Sequence, residues 1–244
     1  MDDLGDAPAT APLLSVVTPT FNESENLPIL VEELHDALDG IDDEIVVADD
    51  DSPDGTWRVA EEIARTDPSV RVMRRFHDKG LSAAVLDGMS IARGEYLAVI
   101  DADLQHDPTA LPAMLDELRS GADVCVGSRA TEGGGYGDWS ASRRFVSWVA
   151  TLIARVLLRV PVSDPMSGYF AVSRDRFEAV QGQLTGRGFK ILLEFIGQRT
   201  KLRVSEIGYT FRNRTHGETK MSPSVIRSYL LAVFELRFGR QVKG

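Results

Sequence analysis

Two carboxylates stand two positions apart where an apolar run of the chain ends. The run 96–100 is followed by Asp101 and Asp103. In an extended backbone, side chains at this spacing point to the same side, and Gln105 continues the same register. Mg²⁺ and Mn²⁺ bind through a few carboxylates and complete their coordination with substrate phosphates. The pattern therefore predicts a metal-assisted diphosphate site with Mg²⁺ or Mn²⁺ as cofactor. The alternative is a pair of solvated aspartates before a helix that Asp107 caps.

A second acidic cluster follows another short apolar run. Residues 44–48 end in Asp49, Asp50 and Asp51, and a Ser-Pro-Asp-Gly-Thr sequence occupies 52–56. Because like charges packed this closely repel, we expect a counter-charge or a hydrogen-bond donor beside them. A nucleobase, a ribose or a cation would supply one. A plain turn explains residues 52–56 well, but it does not explain three consecutive aspartates.

Composition limits the class of protein. The chain has 244 residues, 43% of them hydrophobic, and a net charge of −10, which argues against a nucleic-acid partner. Lysine is scarce, which suggests, as a hypothesis, a host with a high-salt cytoplasm.

Cys125 stands alone, so we expect a buried thiol and no disulfide. The four histidines have no zinc-binding spacing, and His106 is predicted to lie on the surface. Residues 1–12 lack the features of a signal peptide and are predicted to be a disordered tail.

The remaining pattern alternates strands with helices. Strands are predicted at 13–18, 44–48, 70–74, 95–100 and 122–126, and helices at 24–38, 55–65, 81–92 and 109–119. This alternation is typical of βαβ units in a mostly parallel sheet, which binds ligands beyond the carboxyl ends of its strands. The loops 19–23, 49–51 and 101–103 all follow strands, so they should form one site. The first loop carries neither a dinucleotide-binding nor a P-loop motif, which makes a dehydrogenase or a P-loop NTPase improbable on sequence grounds.

No segment has the uninterrupted apolar length of a membrane span. The nearest is 145–160, where Phe145, Trp148 and Ile153 recur at helical spacing and arginines interrupt the run. A helix of this kind can lie in a membrane interface. The alternative is a core or dimer helix.

Several motifs occur in the order that is typical of family 2 glycosyltransferases. They are Val16–Glu23 (VVTPTFNE), Asp49–Thr56 (DDDSPDGT), Asp101–Gln105 (DADLQ), Gly127–Arg129 (GSR), Ser163–Gly168 (SDPMSG) and Arg214–Lys220 (RTHGETK). Over residues 13–240 the chain resembles this family, and within it the dolichol-phosphate mannose synthases and related polyprenyl-phosphate glycosyltransferases. The family often has Tyr where Phe21 stands and Gly where Asp51 stands. The Q-x-x-R-W motif of processive polysaccharide synthases is absent from the sequence.

The resemblance implies an α/β, Rossmann-like glycosyltransferase fold of the A type, with a mostly parallel central sheet flanked by helices and C-terminal amphipathic helices. It implies one domain over 13–240, with a nucleotide-sugar-binding half at 13–130 and an acceptor-binding half at 131–240. The implied reaction is inverting, metal-dependent transfer of mannose from GDP-mannose to dolichyl or another polyprenyl phosphate. The product, dolichyl phosphate mannose, would serve glycosylation. The implied location is the cytoplasmic face of a membrane, as a peripheral protein.

The resemblance also carries roles onto individual residues. Asp101, Asp103 and Arg129 are expected to be catalytic, Asp101, Asp103 and Gln105 to bind the metal, and Arg129, Arg143 and Ser147 to contact the acceptor phosphate. The expected nucleotide-sugar contacts are Pro19, Phe21, Glu23, Ala48, Asp50, Asp101, Ala102, Asp103, Gln105, Arg129, Arg214 and Lys220. Two alternatives stay open: a related transferase using UDP-glucose or another nucleotide sugar, and a non-enzymatic phospho-receiver.

Overall fold

The computed structural model of the chain describes residues 11–158, 162–186, 191–197 and 202–212, except for the side chains of residues 142, 143, 146, 157 and 158. Most of the predicted tail at 1–12 lies outside the described residues. So do Arg214, Lys220 and the predicted C-terminal amphipathic helix.

Seven strands and seven α-helices make up the described part of the chain. The strands are β1 (Leu14–Thr20), β2 (Asp43–Asp49), β3 (Val70–Arg74), β4 (Tyr96–Val99), β5 (Val124–Ser128), β6 (Phe170–Ser173) and β7 (Val204–Gly208). The helices are α1 (Leu27–Ala37), α2 (Thr56–Thr66), α3 (Leu81–Ile91), α4 (Leu111–Arg119), α5 (Ala141–Leu158), α6 (Arg174–Val180) and α7 (Ile191–Ile196). Short 3-10 turns occupy Pro108–Ala110 and Gln181–Gln183. All the strands and helices predicted between 13 and 126 are present, and α1 begins at Leu27 rather than at residue 24.

The strands form one sheet in the order β3-β2-β1-β4-β6-β5-β7. The pairings β1–β2, β2–β3, β1–β4 and β5–β7 are parallel, whereas β6 runs antiparallel to both β4 and β5. The prediction of a mostly parallel α/β sheet flanked by helices is therefore confirmed. The antiparallel strand β6 is a feature that the sequence analysis missed.

The two faces of the sheet each bury a separate apolar layer. On β1, Val16 packs into the layer that contains residues of α1 and α4. Val17 points the other way, into the layer that contains residues of α3 and α7, as strand alternation requires. Helix α3 comes very close to the sheet at Gly88, where an added Cβ would lie 2.5 Å from Val17 Cγ1. This close packing holds the C-terminal half of α3 against β1.

Helix α5 has one face on this core and one in solvent. Ala154 is buried, and Ile153 packs against the apolar layer that contains α3 and α7. The prediction that Ile153 shares the lipid-facing side is therefore wrong, because that side chain faces the core. The exposed apolar side chains are Phe145, Trp148, Leu152 and Val156. No helix within the described residues is long and apolar enough to cross a membrane.

The strand order brings the predicted loops together. The chain passes from β1 to β2 on one side of β1, and later returns to place β4 on its other side. In an open α/β sheet such a reversal leaves a crevice outside the carboxyl ends of the strands, where ligands bind. The loops that follow β1, β2 and β4 contain the acidic motifs, and they meet at this edge.

Candidate active site

A cavity of about 500 Å³ lies at the carboxyl ends of β1, β2 and β4. Seven residues predicted to bind a nucleotide sugar line it: Pro19, Phe21, Glu23, Asp50, Asp101, Ala102 and Asp103. The remaining lining residues are Thr20, Lys79, Gly80, Leu81 and Ala84. The structure thus places the two acidic clusters and the loop after β1 around one space, as the strand order requires.

The two carboxylates after β4 occupy different surroundings. Asp103 is largely buried, and its Oδ1 accepts a hydrogen bond of 3.1 Å from the backbone N–H of Gln105. The Asp101 side chain is more open, with 30% of its surface exposed. Gly168 packs against it so closely that an added Cβ would lie 2.9 Å from Asp101 Oδ2. The chain turns sharply between these motif residues and the helix, since Leu104 has a φ of 60°.

These carboxylates fit a divalent cation that is shared with a substrate diphosphate. Within the described part of the chain, no group of three His, Cys, Asp or Glu side chains is arranged to hold a metal by itself. Mg²⁺ usually takes one or two carboxylates together with waters and substrate phosphates. Asp101 and Asp103 supply two carboxylates on the wall of the cavity. Two carboxylates suit a cation that a substrate also binds, but they are too few to hold a metal ion by themselves.

Gln105, the third predicted metal ligand, holds the loop in place. Its side-chain N–H donates to the carbonyl of Arg212 at 3.2 Å, and the Arg212 backbone N–H donates to the Gln105 carbonyl at 2.8 Å. Arg212 also binds Asp107 at 2.9 Å through its guanidinium. Asp107 caps the 3-10 turn that follows, as predicted, by accepting from Thr109 N–H. The loop that carries Asp101 and Asp103 is thus tied to the residues that follow β7.

The three consecutive aspartates have the counter-charges and donors that their repulsion requires. Asp49 accepts hydrogen bonds from Thr20 and Ser52. Asp51 pairs with Arg74 at 2.5 Å and with Lys79 at 3.2 Å, and these partners lower the pKa of its carboxyl. The protein itself, rather than a bound nucleobase, ribose or cation, therefore supplies the partners.

Asp50, the middle aspartate, fixes the loop between β3 and α3. It forms a buried ion pair with Arg75, and its Oδ2 accepts a 2.7 Å hydrogen bond from the backbone N–H of Gly80. Gly80 has a φ of 148°, which favours glycine. The sequence analysis missed this loop as part of the site. A rare lysine followed by glycine, after the third predicted strand, was the available signal.

Two further residues that were predicted to contact the nucleotide sugar, Ala48 and Arg129, do not line the cavity. Ala48 is fully buried within β2, and Arg129 lies in the interior just beyond β5. The Arg129 guanidinium makes two hydrogen bonds to Asp164, of 2.6 and 2.8 Å. Burial alone would lower the pKa of its guanidinium, but the hydrogen bonds and charge of Asp164 outweigh burial and raise that pKa. The guanidinium carbon also lies 5.1 Å from the ring centroid of Trp139 and 5.4 Å from that of Phe211.

His106 is in the interior, so the prediction of a surface histidine is wrong. Only 4% of its surface is exposed, because Tyr209 and Phe211 from the segment after β7 cover it. Of the predicted acceptor contacts, Ser147 is half-buried on α5, and the side chain of Arg143 is outside the described set. Arg214 and Lys220 also lie outside the described residues, so their roles stay predictions.

Comparison with known proteins identifies the family. The model for glycosyl transferase family 2 matches residues 15–181. The dolichol-phosphate mannosyltransferase of Pyrococcus furiosus is 40% identical over 225 residues, which are 91% of this chain but 63% of that protein. The undecaprenyl-phosphate mannosyltransferase of Micrococcus luteus is 37% identical, over 86% of this chain and 88% of that protein. The dolichol-phosphate mannosyltransferase of Saccharomyces cerevisiae is 34% identical, over 91% of this chain and 86% of that protein.

Solved structures support the fold. Glucosyl-3-phosphoglycerate synthase from Mycobacterium tuberculosis, crystallised with Mg²⁺ and UDP, superposes with a TM-score of 0.67 and 20% identity. The superposition covers 93% of this chain and 80% of that one. At this identity the likeness concerns the fold alone. Taken with the family match over most of the chain, it leads to one conclusion: the chain belongs to glycosyl transferase family 2 and is a glycosyltransferase with the A-type fold.

Proposed function

We propose that the protein transfers mannose from GDP-mannose to the phosphate of dolichyl or another polyprenyl phosphate, with inversion at the anomeric carbon. The observation that carries the proposal is the 500 Å³ cavity, whose wall contains both Asp101 and Asp103. Its size and its paired carboxylates suit a nucleoside diphosphate bound with a divalent cation. The choice of mannose and of a polyprenyl phosphate rests on the relatives, which are named as mannosyltransferases acting on dolichol, undecaprenol or polyprenol phosphates. Family membership argues against the phospho-receiver alternative.

Asp101 and Asp103 would hold Mg²⁺ or Mn²⁺ against the donor diphosphate. A cation bound there would offset the negative charge that grows on GDP as the sugar leaves. Gln105 would join them as a ligand only if its amide turned away from the Arg212 carbonyl, where it now donates. Pro19, Phe21 and Glu23 also line the cavity and would receive the base and ribose. Lys79 lines the cavity too and would be a further cation near the donor.

The acceptor phosphate would need little help to become a nucleophile. The second pKa of a phosphate monoester is about 6, so its oxygen is already ionised near neutrality. That oxygen would form a bond to the anomeric carbon while the bond from that carbon to the GDP oxygen breaks. The electron pair of the broken bond leaves with GDP, and no proton needs to be removed from the acceptor. Cationic side chains would still be needed to bring two anions together, the role predicted for Arg129 and Arg143.

Helix α5 would place the protein on the membrane that holds the acceptor. Phe145, Trp148, Leu152 and Val156 follow one another at spacings of three or four residues, and each is at least 45% exposed. Side chains at such spacings share one helix face. An exposed apolar face of this kind inserts into the headgroup region of a bilayer. Peripheral binding to the membrane would follow from this helix, because a polyprenyl tail stays within the bilayer. The choice of the cytoplasmic face rests on the resemblance to the family.

The proposal is tested by a screen of donors against a short polyprenyl phosphate, with Mn²⁺ or Mg²⁺ present. GDP-mannose, GDP-glucose, UDP-glucose and UDP-N-acetylglucosamine are each supplied, and the lipid product is identified by mass spectrometry. We expect a lipid-linked hexose phosphate from GDP-mannose in clear preference to the others. A product formed mainly from UDP-glucose would move the assignment to the alternative donor. No lipid product from any donor would refute the proposed acceptor.

A further inference from the structure

His106 connects the first carboxylate of the cavity to a tyrosine 103 positions further along the chain. Its Nδ1 lies 2.7 Å from the hydroxyl of Tyr209, and its Nε2 lies 3.4 Å from Asp101 Oδ2. His106 and Tyr209 are 4% and 3% exposed, so the contact between these two side chains is shielded from water. Neither residue lines the cavity itself. Asp101 does, and it is therefore the only one of the three that reaches the ligand space in the described structure.

The chemistry of the three groups decides where the protons lie. A carboxylate only accepts hydrogen bonds, so the imidazole nitrogen facing Asp101, Nε2, must carry the hydrogen. In the neutral imidazole ring Nδ1 then accepts a hydrogen bond, which the hydroxyl of Tyr209 donates. Burial raises the pKa of that hydroxyl, which therefore keeps its proton. The resulting chain runs in one direction, from Tyr209 O–H to His106 Nδ1 and from His106 Nε2–H to Asp101 Oδ2.

Packing holds the imidazole in this orientation. The ring centroid of Tyr169 lies 5.3 Å from that of His106, and the ring of Phe211 stands nearly perpendicular to it at 5.4 Å. Gly168 packs against the same oxygen, since an added Cβ would lie 2.9 Å from Asp101 Oδ2. One oxygen of Asp101 is thus in contact with both the His106 ring and Gly168, and these two contacts limit how the carboxylate can turn.

We propose that His106, held by Tyr209, is a positioning residue that aims the carboxylate of Asp101 at the divalent cation of the donor site. The inference rests on the proposed function, in which Asp101 helps to hold that cation. It assigns a task to two buried polar side chains that do not line the cavity. Removal of a hydrogen-bonding partner behind a metal ligand typically weakens metal affinity about 10- to 100-fold, and we expect an effect of that order here.

Two substitutions of His106 test the contacts of its two ring nitrogens separately. His106→Gln places an amide N–H near the former Nε2, so it can still donate to Asp101. His106→Asn places an amide oxygen near the former Nδ1, so it keeps the Tyr209 contact and loses the one to Asp101. For each variant the affinity for Mn²⁺ is measured with GDP present, by electron paramagnetic resonance of free Mn²⁺. The melting temperature of the protein without ligands reports on structure alone.

The proposal predicts that His106→Asn weakens Mn²⁺ binding about tenfold or more, while His106→Gln stays close to the wild type. Equal effects of the two variants, or no effect of either, would overturn it, since a merely structural histidine would change melting and leave Mn²⁺ affinity alone. Tyr209→Phe keeps the aromatic packing and serves if His106→Asn does not fold. Tyr209→Phe should also weaken Mn²⁺ binding, and a Mn²⁺ affinity equal to that of the wild type would count against the proposal. A wild-type protein that binds no Mn²⁺ with GDP would overturn the proposed function and this inference together.

Discussion

Arg129 and Asp164 form a two-point ion pair inside the protein. Arg129 Nε lies 2.6 Å from Asp164 Oδ2, and Arg129 Nη2 lies 2.8 Å from Asp164 Oδ1. The two residues are 8% and 2% exposed. The pair connects the end of β5 to the segment that leads into β6. Because water hardly reaches either group, loss of one charge would leave the other buried without compensation.

Asp164→Asn should therefore destabilise the fold strongly. Removing one partner of a buried pair typically costs about 3–5 kcal/mol of unfolding free energy, which urea denaturation would measure. The matched control is Asp116→Asn, whose partner Arg119 lies 3.8 Å away in an exposed pair. Exposed pairs contribute about 0–1 kcal/mol. Similar losses of unfolding free energy in the two variants would show that the buried pair contributes no more to stability than the exposed pair does.

Asp43 should make stability depend on pH. Burial raises the pKa of its carboxyl from 3.8 to about 6, with smaller increases from Asp67 and Asp42 and an opposing effect of His35. Its Oδ2 is buried and has no hydrogen-bond partner among the residues that the structure describes. Between these two pKa values the folded state holds a proton that the unfolded state has lost, so the contribution of this group to stability falls as pH rises through that window.

Asp43→Asn removes this titration, and the variant should be more stable than the wild type at about pH 8, with the gain vanishing towards about pH 4. Urea denaturation at both pH values measures the difference. Asp39→Asn, at an exposed position outside the groups that shift the pKa of Asp43, is the control for the change in net charge. A gain that is the same at both pH values would contradict the explanation.

Gly168→Ala should impair the site while changing the fold little. The added Cβ would lie 2.9 Å from Asp101 Oδ2, a distance that requires the carboxylate to move. We expect weaker Mn²⁺ binding in the presence of GDP, measured by titration, with a melting temperature near that of the wild type. Gly182→Ala is the control, since no atom of the described part of the chain lies within 4 Å of its added Cβ. Unchanged Mn²⁺ affinity in Gly168→Ala would show that the position of Asp101 is not critical.

Liposome flotation tests the exposed face of α5. Trp148→Asp combined with Leu152→Asp should abolish flotation, because two side chains that are 58% and 45% exposed would become charged on the apolar face. Ile29→Asp on α1, at a site that is 40% exposed, controls for the added negative charge. Flotation of the double variant at the wild-type level would favour a dimer or other protein interface.

Local pattern was enough to predict the first five strands and four helices, because the central strands are short apolar runs and the helices bury one apolar face with a clear period. Strand β6 escaped because its antiparallel place between β4 and β5 follows from no local signal. The three acidic or polar loops were predicted to meet because parallel strands end at one edge. Their meeting around one cavity is what the structure shows.

Side-chain partners distant in sequence could not be predicted in the same way. His106 looked like a surface residue, since Tyr209 and Phe211, which cover it, lie more than a hundred positions later. Arg129 was expected to meet phosphates, and nothing near it in sequence indicated that Asp164 would occupy two of its donors. Such pairings depend on the order of strands, which a single sequence does not reveal.

The most direct test of the account measures mannose transfer from GDP-mannose to a polyprenyl phosphate as a function of Mn²⁺ concentration, in the wild type and in Asp103→Asn. Asp175→Asn, at an exposed position on α6, is the control, and circular dichroism checks that each variant is folded. The account predicts metal-dependent transfer by the wild type and the control, and a loss of roughly 10²-fold or more in Asp103→Asn. An Asp103→Asn protein that keeps more than about half of the wild-type rate, against that expected loss, would contradict the assignment of the cavity as the metal-dependent donor site.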